Sequence, residues 1–453
     1  MKTLATIWNA LTRERGRPRT PARKRKHNQR GVALIAVLVS VAIILGLTNG
    51  FATNTSVDIF AAANHRDQMR AHYLARSATN LGELVIRLQQ RIDNVKQLRG
   101  QVQITEFADQ VLLAFCGGAE EVQAAVGFSP TNVKGLGADV GTCGIVNQSI
   151  TTEDDKLNVN CLNGNDATAA TFKSALDALF YFNAYDPVFE EADAEGYRRD
   201  RALQVAALSD YIDSNTQRNR ERGTTEEYGY ESLKDAYRPK NNYIDTVGEL
   251  KLVRGVDDRF WSLFKDAFTV YGACKVNISA LSNTQLIAAV LYLAAKNPTD
   301  PVVQDPKKLF TLASLVARSK QFGQQFQTVD DFITYVKDPA AALGSIAGQG
   351  GSLAGSAANA AVGGSIPGLT GPDKLKLELD KQKLSQMVTA GPRRTYRVQA
   401  WGEIPRYGKD AAGNDVFPPI RTTITGVWDT KVVPQNARKT PAPKGAWVYL
   451  RED

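Results

Sequence analysis

Histidine is almost missing. Only His27, His65 and His72 occur among 453 residues. Histidine is the side chain whose charge changes most readily near neutral pH, and hydrolase triads and most zinc sites draw on it. A histidine-based triad or a zinc centre in the bulk of the chain is therefore not expected. The H-E-x-x-H, Walker A and G-x-G-x-x-G patterns are absent as well, so no catalytic motif points to an enzyme. Cysteine is sparse: Cys116, Cys143, Cys161 and Cys274, none in a C-x-x-C pair. An even number of scattered cysteines in an exported domain favours disulfides. Four cysteines allow three connectivities, and the sequence does not choose among them rigorously. Cys116–Cys143 with Cys161–Cys274 is the working expectation; the other pairings, and free buried thiols, stay open.

Acid is nearly missing from the first thirty residues. They hold Lys2, Arg13, Arg15, Arg17, Arg19, Arg23, Lys24, Arg25, Lys26 and Arg30 against Glu14 alone. The whole chain carries +8, so this tail accounts for all of the excess and the remainder is close to neutral. A basic nucleic-acid groove is not implied, because the charge sits in one terminal segment. From Gly31 charge is absent altogether until Asp58. The run Val32–Leu47 is apolar apart from Ser40, and with its uncharged extension it is long enough to cross the ~30 Å apolar core of a bilayer. The basic flank stays cytoplasmic by the positive-inside rule, which places the C-terminal bulk outside.

Three readings of this segment compete. A secretory signal peptide needs a small-residue cleavage site just after its core, and Ala61-Ala62-Ala63 lies well beyond it. A plain signal anchor needs no cleavage. A prepilin-type leader, cut after Gly31 and methylated at Val32, accounts for a glycine at the sharp border between basic and apolar residues. Beyond the apolar run the period stays helical. Leu74, Ala78, Leu81, Val85 and Leu88 make one stripe, with Arg70, Arg76, Arg87 and Arg91 opposite. One helix from about Val32 to Leu98 is expected, with Asn49-Gly50 a place for a kink.

Residues 100–165 read as short, turn-rich segments with a strand at Leu157-Asn158-Val159-Asn160. Helical stripes then follow: Phe172, Leu176, Leu179 and Phe180; Leu203, Ala207, Leu208, Tyr211 and Ile212; Leu286, Ile287, Val290 and Leu291; Leu309, Leu312 and Val316. Residues 340–371 are rich in Gly, Ala and Ser and read as a flexible linker. Strand patterns return at Thr395–Trp401 and Ile420–Trp428, as a hairpin.

Several motifs, in order, resemble the minor pseudopilin K family of type II secretion systems. They are Gly31-Val32-Ala33-Leu34-Ile35-Ala36-Val37-Leu38; Lys156-Leu157-Asn158-Val159-Asn160; Leu208-Ser209-Asp210-Tyr211-Ile212-Asp213; Tyr237-Arg238-Pro239-Lys240-Asn241 with Leu250-Lys251-Leu252-Val253-Arg254-Gly255-Val256; Thr269-Val270-Tyr271-Gly272 with Lys275-Val276-Asn277-Ile278; and Tyr396-Arg397-Val398-Gln399-Ala400. The resemblance implies an α+β class: a pilin-like fold, with a long N-terminal helix packed on a small antiparallel sheet and a large inserted α-helical domain. It divides the chain into a leader (1–31), a membrane and assembly helix (32–52), a stem and first part of the pilin body (53–165), the helical insertion (166–339), the Gly/Ala/Ser-rich segment (340–373) and the closing strands (374–453).

Most pilins carry Glu at the fifth mature position; here Ala36 stands there. A carboxylate in an apolar layer costs several kcal/mol unless paired. A subunit with no neighbour above it does not need that acid, and the resemblance implies such a place, at the tip of the pseudopilus. Val32 in place of the more usual Phe or Met, and a leader of 31 residues, depart from the common pattern. The implied partners are minor pseudopilins I and J, the major pseudopilin, the prepilin peptidase and the inner membrane, and beyond these the secretin or secreted substrates; nucleic acid is not among them. The implied location is the bacterial inner membrane, single-pass, with the body in the periplasm.

One constellation suits a hard cation. Asp210, Asp213, Asn215, Thr216 and Gln217 are followed by Glu226 and Glu227, oxygen donors at alternating positions and then a later carboxylate. It fails as an EF-hand, because Arg218 stands where glycine belongs. The family carries structural calcium in its helical domain, and Asp213, Asn215, Glu226 and Glu227 are the carried-over ligands; a solvated acidic loop beside Arg218, Arg220 and Arg222 is the plain alternative. Leu252–Val256 followed by Phe260–Phe268 resembles half of a helix-hairpin-helix, but Asp257 and Asp258 would repel phosphate, so it is read as helix packing. A type IV pilus minor pilin or tip adhesin, and a signal-anchored envelope enzyme, are the competing functions.

Overall fold

The structure is a computed structural model. It describes residues 31–95, 102–116, 141–192, 196, 200–219, 225–227, 229–231, 233–319, 326–339, 341–342, 375–406, 417–433 and 444–452. The expected leader apart from Gly31, nearly all of the Gly/Ala/Ser-rich segment and most of the hairpin connection lie outside them. The chain divides into a unit up to Arg66 and a unit from Asp67 onward.

Helix α1 (Val32–Asn94) runs through Asn49-Gly50 without interruption. Its first half makes up the described part of the first unit, where every residue from Val32 to Ala62 is exposed. In the second unit α1 buries Ala71, Leu74, Ala75, Ala78, Gly82, Val85, Ile86 and Gln89. The buried face is rotated from the expected stripe: Leu88 is exposed, while Gly82 and Gln89 are covered. A 3₁₀ turn at Ile104–Phe107 and helix α2 (Ala108–Cys116) follow, where turn-rich segments were expected.

That face of α1 packs on one antiparallel sheet. Its central hairpin is β7 (Thr395–Ile404) and β8 (Ile420–Asp429), paired residue for residue from Thr395↔Asp429 to Ile404↔Ile420. On the outer side of β7 lie β1 (Thr142–Ile145) and β2 (Thr151–Thr152); on that of β8 lies β9 (Ala446–Glu452), a strand the sequence reading did not anticipate. Strand β7 alternates strictly, so Tyr396, Val398, Ala400, Gly402 and Ile404 all face the core. Two close approaches set the fit. A Cβ on Gly402 would stand 2.2 Å from Ala71 O, and one on Gly82 would stand 3.0 Å from Val398 Cγ1. Only glycine lets a strand and a helix backbone meet so closely.

The second core is helical. It is built on α3 (Asp166–Phe180), α4 (Asp186–Glu190), α5 (Arg201–Ile212), α6 (Asp258–Phe264), α7 (Thr284–Ala294), α8 (Pro301–Gln304), α9 (Pro306–Ser319), α10 (Val329–Lys337) and α11 (Lys381–Met387). Side-chain caps start many of them: Asn165, Asp200, Asp257, Asn283, Asp300, Thr328 and Asp380 each accept a backbone N–H of the first turn. The expected stripes face inward, with Phe172, Leu176, Leu179, Phe180, Leu208, Leu286, Leu291, Leu309, Leu312 and Val316 all buried. Val253 and Val256 join this core, and Asp257 accepts Phe260 N at 2.9 Å, so that stretch does pack as a turn before a helix.

The helical core is wider than the expected 166–339. Leu157, Val159, Cys161 and Leu162 enter it from before, and Leu375, Leu377, Leu379, Leu384 and Val388 from after. The reason is geometric. The chain leaves and returns through two parallel strand pairs, β3 (Leu157–Asn158) with β4 (Phe268–Thr269) and β5 (Val276–Asn277) with β6 (Val388–Thr389). Both disulfides match the working expectation: Cys116–Cys143 in the pilin-like core and Cys161–Cys274 in the helical body.

Candidate assembly helix and cation site

Gly31 is the last residue before α1, and Val32 opens it. Ile35 N donates to Gly31 O at 3.2 Å. Val32 is 68% exposed, and Leu34, Ile35, Val37 and Leu38 are exposed with it. The best stretch of α1 has a mean hydropathy of 2.5, so the helix is long and apolar enough to cross a membrane. Its few hydroxyls are satisfied within the helix: Ser40 Oγ donates to Ala36 O at 2.9 Å, and Thr48 Oγ1 to Ile44 O at 2.7 Å. In hydrocarbon each would otherwise lack a partner. Ala36 lies on this exposed first half of α1.

The acidic loop forms at the end of α5. Asp210 and Asp213 are three apart, so the last turn places both on one side. Glu226 arrives beside them, helped by the bridge between Gln217 and Thr225. One carboxylate oxygen from each of the three lies within 4.8 Å of the others. Asp210 and Glu226 are buried. Asn219 Nδ2 donates to Asp213 Oδ2 at 2.9 Å and also to Asp210.

Asn241 completes the group. Its Nδ2 donates to Glu226 Oε2 at 2.8 Å and to Asn215 O at 2.9 Å. Its backbone is left-handed, with φ 47°. Two buried acceptors here, Glu226 Oε1 and Asn241 Oδ1, have no hydrogen-bond partner among the described residues. Burial, then the charges of Asp213 and Asp210, push the Glu226 carboxyl up to about 8. Burial also raises Asp210.

The donor set fits a hard divalent cation. Three crowded carboxylates and two buried, unsatisfied oxygens are what such an ion coordinates, and its charge would remove the repulsion that raises Glu226. Of the four sequence candidates, the fold brings Asp213 and Glu226 together. Asn215 stands one step out: its Nδ2 donates to Asp213 Oδ1 at 2.7 Å and its Oδ1 accepts Gln217 N. Glu227 turns to Arg238, 3.0 Å from its Nε. Asp210 and Asn241 were not in that set. Helical spacing from Asp213 signals Asp210; nothing local signals Asn241, which arrives from another part of the chain.

A buried ionic group ties the helical body to the sheet. Glu153, whose side chain is 0% exposed, meets Arg397 of β7 and Lys156 Nζ at 3.2 Å. Burial raises its carboxyl, but these two cations outweigh it and the net shift is downward. Asp154 accepts the backbone N–H groups of Arg394 and Thr395. Arg394 in turn forks onto Asp429, with Nη2–Oδ2 2.7 Å. In the Lys156–Asn160 motif, Asn160 clamps the backbone of Ile244 with both ends of its amide, at 2.8 and 3.0 Å.

Residues 155–272 match the family described as type II secretion system (T2SS), protein K. Among solved structures, the chain is similar to one in the crystal structure of the GspK-GspI-GspJ complex from the type 2 secretion system of enterotoxigenic Escherichia coli. That likeness is 12% identical, covers 86% of this chain and 99% of that chain, and has a TM-score of 0.44. No curated protein matches the chain.

Proposed function

We propose that this chain, which carries the domain of the type II secretion protein K family over residues 155–272, is a minor pseudopilin of a type II secretion system that caps the pseudopilus tip and helps start its assembly. The family match within the helical body is the observation that carries the reading. The sequence supports it at the other end: a basic leader, Gly31 at its border, and an apolar helix free of charge to Asp58.

The action is assembly and not catalysis. The first half of α1 anchors the chain in the inner membrane and then packs in the filament stem, with the body in the periplasm. Ala36 removes the carboxylate that a shaft subunit would offer to a neighbour's N-terminal ammonium, which suits a subunit with nothing above it. A large helical insertion suits the same place, because a filament accommodates such bulk only at its end. The partners on this reading are minor pseudopilins I and J. Calcium at Asp210, Asp213 and Glu226, with Asn241 beside them, supplies a structural crosslink between α5 and the loop that follows it.

N-terminal sequencing of the protein purified from its own envelope tests the reading. A chain beginning at methylated Val32 is expected. A chain that still begins at Met1 overturns it.

A further inference from the structure

Near the end of α1, the β5/β6 pair and the ends of the β7/β8 hairpin, the second unit holds a cavity of about 560 Å³. Lys275, Arg393, Arg394, Lys431 and Lys444 line it, against two carboxylates, Asp93 and Asp154. Both acids are buried and engaged. Asp154 accepts two backbone N–H groups, and Asp93 accepts Gln89 Nε2 at 2.9 Å. Both arginines are engaged too: Arg394 with Asp429, and Arg393 Nη2 with Glu106 Oε1 at 2.7 Å.

The lysines differ. All three are exposed. Lys275 gives one donor to Ser385 O at 2.7 Å and keeps two. Lys431 and Lys444 form no ion pair among the described residues. The cavity therefore holds three available ammonium groups in a body whose total charge is near zero, so the excess is local and not a general property of the surface.

We propose that this cavity receives a carboxylate side chain from an acidic segment of a partner protein. The chemistry favours carboxylate over phosphate. The Arg394 guanidinium fork that would clasp a phosphate in bidentate fashion already holds Asp429, Arg393 is drawn by one N–H to Glu106, and the remaining ammoniums are point charges that take a carboxylate in any orientation. The volume suits a few side chains, and Ala273, Ala390 and Pro392 give the wall apolar ground for the partner's backbone. The inference uses only the charge and shape of the cavity and does not depend on the pseudopilin reading.

The test is fluorescence anisotropy with the full chain in an uncharged detergent and a labelled hexaglutamate peptide as probe. Binding that weakens as salt rises is expected, with a loss of about tenfold or more in Lys275→Glu/Lys444→Glu. The double variant Lys275→Arg/Lys444→Arg keeps the affinity. So does Lys307→Glu/Lys308→Glu, which alters exposed lysines on α9. Three results overturn the proposal: equal binding of a hexaglutamine peptide, equal loss in the α9 variant, or displacement by inorganic phosphate at lower concentration than by free glutamate. Unchanged melting temperatures show that the variants are folded.

Discussion

Gly402 of β7 lies directly on the backbone of the stem helix: a Cβ built there would stand 2.2 Å from Ala71 O and 2.5 Å from Ala75 N. The atoms met are backbone, so no side-chain rotation relieves the clash. Gly402→Ala is expected to cost roughly 3 kcal/mol, at the upper end of overpacking penalties, by forcing helix and strand apart. Chemical denaturation checks it; a loss under about 0.5 kcal/mol would show that the sheet does not press on α1 there.

The acidic group at the end of α5 predicts a metal response. Calcium should raise the melting temperature, by an amount equivalent to about 2.7 kcal/mol when its concentration is a hundred times Kd. Glu226→Gln and Asp210→Asn should each abolish the shift while leaving the metal-free protein as stable or more so, because each relieves carboxylate crowding. Equal melting curves in calcium and in chelator would remove the site.

Glu153 predicts a pH effect with a definite sign. Its carboxyl is held below the ordinary 4.5 by Lys156 and Arg397. A depressed carboxylate contributes stability above its unfolded value, and that stability is lost as pH falls from about 4.5 through the folded value. At pH 7 Glu153→Gln should cost about 3 kcal/mol, since it strands Arg397 in a mostly buried place. Below the folded value the wild type and the variant should converge. Denaturation midpoints measured against pH, with a gap that persists in strong acid, would contradict this.

The two disulfides should differ in weight. Cys161–Cys274 closes 113 residues and Cys116–Cys143 closes 27. Loop-closure entropy gives roughly 4.8 and 3.5 kcal/mol respectively. Paired serine variants, compared by denaturant midpoint, should show the larger loss for Cys161/Cys274. The reverse order would mean that unfolded-state entropy is not what these bonds act on.

Much of the architecture was legible because it follows from period and composition. The helical stripes around Phe172, Leu286 and Leu309, and the Thr395 and Ile420 strands, each bury one face, and one buried face imprints a period; the Val32–Leu47 run, exposed throughout, was legible from its unbroken hydropathy instead. Helix α2 and strand β9 were missed for the same reason. Helix α2 is short, and β9 is an edge strand with no buried side chain and with Val448 and Leu450 exposed.

The site divides likewise. Asp213 and Glu226 could be picked from their own neighbourhood, since donors for a hard cation cluster along a loop. Asn241 could not, because a left-handed asparagine a further fifteen residues on from Glu226 reaches the group only through the fold. The basic N-terminal tail, the border at Gly31 and the charge-free run up to Asp58 belong to the sequence alone, for charge and hydropathy act along the chain without any tertiary partner. Which oxygens crowd together, which lysines gather around one cavity and how closely Gly402 meets α1 were decided by packing, which brings distant residues within a few ångströms by rules no local pattern carries.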